Sequence, residues 1–132
     1  MVSIINKLLV FLKFYSHTPK QEQPKEDFTE FNLFLFFFLI GTLTYQNSLW
    51  TFYYSEEFKQ QTIIHPILNF PDIDKVYTSK SLSSFFVIRI PSPNRIKAQR
   101  LLKKGEPADE VSLLKKFGMY SVANPYKLVF VQ

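Results

Sequence analysis

Cysteine is absent, and with it every disulfide, thiolate metal site and thiol nucleophile. Histidine occurs only at His17 and His65, too far apart in the chain for a paired imidazole motif and both outside the apolar stretch where a haem held between membrane helices would find its axial ligand. The three glycines, Gly41, Gly105 and Gly118, form no phosphate-binding loop, and two of them read as helix stops. Asp72 with Asp74 and Glu56 with Glu57 are neighbours by spacing alone. The residues thus predict no catalytic group, no metal site and no cofactor site, and a chain that is not an enzyme.

The most informative absence is local. From Phe31 to Ser55 there is no Asp, Glu, Lys, Arg or His. As a helix this run would be roughly 37 Å long, against roughly 30 Å of bilayer hydrocarbon. The expectation is a transmembrane helix over residues 27–61 with its membrane core at 31–54, so the fold class expected is a mainly α membrane protein. Asp27-Phe28-Thr29-Glu30 matches a capping box at its start. Trp50, Phe52, Tyr53 and Tyr54 suit an aromatic belt at its exit, and Ser55 to Gln61 is helix-friendly. Gly41, Thr44, Ser48, Thr51 and Ser55 recur at steps of three and four, which on a helix makes a stripe where a partner helix can approach.

What flanks the run is more ordinary. Residues 1–15 read as an amphipathic interfacial helix with Lys7 and Lys13 on one side, interrupted by charge and lacking a small-residue cleavage site, so no signal peptide is expected. Residues 16–26, with Pro19 and Pro24, form a polar linker. Residues 62–83, broken by Pro66 and Pro71, read as an extended connector, and 84–132 as a small extramembrane tail, α/β or helical. Within the tail Ser84 to Ile90 reads as a strand. One helix is expected from Ser92-Pro93 to Lys104. A second starts at Pro107, with Asp109 and Glu110 in its first turn and Lys115 and Lys116 in its last. Tyr126–Val131 reads as a closing strand.

The net charge is +5. Lys97, Arg100, Lys103 and Lys104 would share one helical face, suited to anionic lipid, an acidic partner or RNA phosphates. Phe (15) and Tyr (7) far outnumber Gly (3), a bias of AT-rich coding that favours an organellar origin. The functional expectation is an accessory, structural subunit of a mitochondrial inner-membrane respiratory-chain complex, single-pass with its N-terminus on the matrix side. Its partners would be other transmembrane subunits, with no nucleic acid and no small-molecule substrate. The alternatives are a subunit of the ATP synthase membrane region and a basic organellar ribosomal or RNA-binding protein, the last with Phe31–Tyr54 buried in protein.

Overall fold

A computed structural model describes residues 28–91 and 109–132. The uncharged run is not a helix. It folds as three antiparallel strands, β1 (Thr29–Leu35), β2 (Phe38–Gln46) and β3 (Leu49–Tyr54). Among the described residues no helix is long and apolar enough to cross a membrane. The expected mainly α, single-pass architecture is therefore corrected to a five-stranded antiparallel sheet that carries, among the described residues, three short helices. The remaining elements are α1 (Glu56–Lys59), β4 (Tyr77–Ser79), α2 (Ser84–Val87), α3 (Glu110–Phe117) and β5 (Tyr126–Val131). The strand order is β4-β3-β2-β1-β5.

The residues explain the sheet. Phe31 and Leu33 in β1, and Trp50, Phe52 and Tyr54 in β3, are buried at every second position, with Asn32, Thr51 and Tyr53 between them. That is the period of a strand, and β-branched and aromatic residues favour it. Asn47 and Ser48 both have positive φ, as a two-residue hairpin turn that matches the strand twist requires. The other turn, Phe36-Phe37, has positive φ only at Phe36. Register joins Phe31, Leu43, Phe52 and Tyr77 in one row across four strands, with Phe130 of β5 opposite Phe31. Leu33 pairs with Gly41 but Phe34 with Leu39, so Ile40 is an extra residue, a bulge that carries its side chain into the core.

The five positions expected to form a helical stripe are dispersed. Gly41 lies opposite Leu33 and Tyr54, Thr44 opposite Thr51, and Ser48 in the second turn. Gly41 is small for a different reason: a Cβ there would stand 2.5 Å from the Tyr53 carbonyl oxygen and 2.9 Å from Phe52 Cζ. Ser55 caps α1. Its Oγ accepts from the Phe58 amide at 3.0 Å and donates to the Leu39 carbonyl at 2.7 Å, while its own amide bonds the Ile40 carbonyl. The rod expected to continue through Gln61 is thus one turn of helix, and the capping box at 27–30 gives way to strand from Thr29.

Over the sheet's inner face lie residues 62–76 and α2. Phe52 is their anchor, with ring centroids 4.4 Å from Phe70, 5.8 Å from Phe86 and 5.2 Å from Tyr54. The Tyr54 hydroxyl, on a residue 1% exposed, donates to the Phe70 carbonyl at 2.6 Å and accepts from the Ile67 amide at 3.0 Å. Ser84 to Ile90, expected as a strand, begins as helix α2, with Ser83 as its N-cap. The helical turn sends Phe86 into the core and leaves Phe85 edge-on to Tyr126. Helix α3 has Asp109 as N-cap, its carboxylate accepting from the Ser112 amide, and ends at Gly118. The expected interfacial helix, linker and basic-faced helix lie outside the described residues.

Gly41→Ala should lower stability by about 1–3 kcal/mol, the usual cost of overpacking, read as a lower urea midpoint at unchanged slope. Tyr54→Phe should cost about 1–3 kcal/mol because it strands a buried carbonyl and amide. Burial pushes the Tyr54 phenol up from 10 to about 12, opposed by the Ile67 bond. Between those values the unfolded chain releases a proton that the folded chain keeps. The stability that Tyr54 contributes is therefore complete below pH 10 and is lost as pH rises towards 12. In Tyr54→Phe that alkaline fall should be smaller, the remainder coming from Tyr126, also pushed up by burial.

Candidate functional site

Among the described residues no group of His, Cys, Asp and Glu could hold a metal ion. His65 is exposed. The surface offers instead an apolar projection, and the interior an aromatic recess and a buried cation.

The projection is the β1–β2 turn. Phe36 is 81% exposed and Phe37 102%, and Ile63 nearby in sequence to Ile64 is 90% exposed. Leu35, Phe36, Phe37, Phe38 and Ile64 line a shallow concavity of about 460 Å³ with no polar side chain among them. A two-residue turn with φ > 0 at its first central position takes glycine by default. Phe at φ 55° costs about 1–2 kcal/mol relative to that choice. The chain thus places a bulky aromatic where local physics favours glycine, and leaves both rings of the turn in water.

The recess lies at the opposite end of the sheet, between β3, β4 and the segment leading into α2. Its volume is about 140 Å³. Trp50, Phe52, Phe70, Tyr77 and Phe86 provide the walls, and Ser79, Ser81 and Ser83 stand among the remaining lining residues.

The cation is Arg89, 5% exposed, just beyond α2. Its Nη1 donates to the Gly118 and Met119 carbonyls at 3.2 and 3.4 Å, and its Nη2 to Asn124 Oδ1 at 2.8 Å. Its guanidinium carbon is 5.6 Å from the Phe85 ring centroid, and Nε is buried without a hydrogen-bond partner. Burial lowers its pKa to about 10, so it stays charged at neutral pH. These carbonyls close the C-terminus of α3, where a cation meets the negative end of the helix dipole. Arg89 therefore clamps α2 to the α3–β5 loop and holds β5 in place.

Of the site residues expected from sequence, Thr51 lines the recess. Lys97, Arg100, Lys103 and Lys104 lie outside the described residues, and Gly41, Thr44, Ser48, Thr51 and Ser55 serve the sheet. A signal for the tip was present: Asn47-Ser48 marks one turn, and a strand-length apolar run preceding it needs a second turn within Leu35–Phe38. Arg89 was visible as a lone charge inside Phe85-Phe86-Val87-Ile88-Arg89-Ile90.

Arg89→Lys should fail to replace the clamp, since an ammonium cannot span Gly118 and Asn124 as the planar fork does. A loss of about 1.5–3 kcal/mol is expected from thermal or urea unfolding, with Arg89→Lys nearer to Arg89→Met than to the parent. No protein-family model matches this chain, and no curated protein matches it.

Proposed function

We propose that this chain is a non-catalytic accessory subunit of a larger organellar protein assembly, docked through the Phe36-Phe37 tip into an apolar recess of a partner protein. The observation that carries the reading is the tip itself, two fully presented aromatic rings on a turn whose backbone conformation disfavours one of them. Buried aromatics away from charge are what the centre of an interface is built from. The concavity beside the tip, walled only by apolar side chains, would receive an apolar group in return. The AT-rich amino-acid usage supports the organellar setting. A mitochondrial respiratory-chain complex is the first assembly in which to look, with the ATP synthase next.

A second reading, a basic organellar ribosomal or RNA-binding protein, draws on the placement of charge. The described residues carry seven acidic and seven Lys or Arg side chains, so the whole net charge of +5 belongs to residues 1–27 and 92–108. Phosphate contacts would make such binding fall steeply with salt.

Phe36→Gly combined with Phe37→Ser converts the turn to a favoured hairpin sequence and separates folding from docking. The double variant should gain about 1 kcal/mol of stability while losing co-migration with the large assembly on native separation. Retention of the variant in the assembly at parental levels would overturn the tip's role. Release of the parent chain by ribonuclease would favour the RNA reading.

A further inference from the structure

We infer that the recess between β3, β4 and α2 is a binding site for a small, uncharged, single-ring aromatic molecule bearing one hydrogen-bonding substituent. The inference is independent of the docking tip, which lies at the other end of the sheet. Size is the first argument. A dry, apolar-walled cavity of about 150 Å³ holds one benzene-sized molecule, and this recess is about 140 Å³. The recess opens to the surface, so a larger molecule would leave all but one ring outside it.

The walls supply the second. Trp50, Phe52, Phe70, Tyr77 and Phe86 surround the space with ring faces and edges. These rings already meet one another tilted or edge-on: Phe70 to Tyr77 at 5.0 Å and 64°, Phe52 to Phe86 at 5.8 Å and 55°. A guest ring can enter the same pattern of offset and edge contacts, which adds to simple burial. An aliphatic guest of equal volume gains burial only.

The third argument is what the lining lacks and what it keeps. Among the described residues no Asp, Glu, Lys, Arg or His lines the recess. A charged ligand would be desolvated there with no counter-ion, which is strongly unfavourable. Hydroxyls are present and already oriented. Ser79 Oγ lies 3.3 Å from Ser81 Oγ and accepts from the Ser81 amide, and Ser83 Oγ accepts from Asn69 Nδ2 at 3.2 Å. A hydroxyl that accepts still has its own proton to donate, so Ser83 can meet one polar substituent on the guest. Phenol-like chemistry satisfies all three conditions.

The site carries its own reporter, because Trp50 is the single tryptophan of the chain. The probe is 4-fluorophenol, titrated into the full chain and followed by ¹⁹F line width and by Trp50 fluorescence. Both signals should saturate at one common concentration. 4-Fluorobenzoate, of similar shape but anionic, should bind at least tenfold more weakly. Ser79→Leu and Ser83→Leu, each checked for a parental unfolding midpoint, should weaken 4-fluorophenol at least tenfold by filling the space. Non-saturating signals with the parent chain, or equal binding of the phenol and the benzoate, would overturn the inference. So would unchanged phenol binding in both folded leucine variants. The comparison of the two probes needs no variant and decides the question if neither variant folds.

Discussion

The structure depends on the Tyr54 hydroxyl. Residues 62–76 contain no regular element, and their apolar side chains must nonetheless be held over the sheet. Tyr54 reaches up from β3 and bonds both the Phe70 carbonyl and the Ile67 amide, closing a small ring between sheet and strap. Beneath it the ring stacks on Phe58 at 4.6 Å and meets Phe52 edge-on. One side chain thus fixes where the strap lies, where α1 packs and how Phe70 enters the core. Without that fixed Phe70, the aromatic recess beside Phe86 and Tyr77 would have no wall on that side.

A second constraint works at the far end of the chain. Edge strands expose unpaired backbone groups, and β5 stands at an edge of the sheet. Its outer side is engaged by the loop before it. The Leu128 amide bonds the Met119 carbonyl, and the Tyr126 amide bonds Asn124 Oδ1. Arg89 holds the same loop from behind through Gly118, Met119 and Asn124. A buried cation at a helix C-terminus thereby helps to seat a strand many residues away. The opposite edge, β4, is only three residues long, and a short edge offers little to pair with.

The two hairpin turns show where the chain follows local preference and where it departs from it. Asn47-Ser48 uses a residue that tolerates positive φ. Phe36-Phe37 does not, and sequences that break a local rule tend to do so where function requires it. That contrast within one sheet is the ground for reading the tip as a contact surface rather than as an ordinary turn.

Several features were legible in the residues themselves. The absence of thiols excluded whole chemistries, the stop at Gly118 and the acids-first, lysines-last charge pattern marked α3, and Tyr126–Val131 read as a strand and is one. These are local signals, carried by a cap, a charge pattern or a short β-rich run. The uncharged stretch Phe31–Ser55 was different. Freedom from charge reports that a segment is buried, not what buries it, and a bilayer and the neighbouring strands of a sheet make the same demand. The period-two alternation of Trp50, Phe52 and Tyr54 pointed to strands, while small residues three and four apart pointed to a helix. Only pairing with β5, some 95 residues further on, and with β4 decides between them. The recess and the Arg89 clamp were likewise settled by tertiary structure, because each joins residues distant in the chain whose types alone signal nothing.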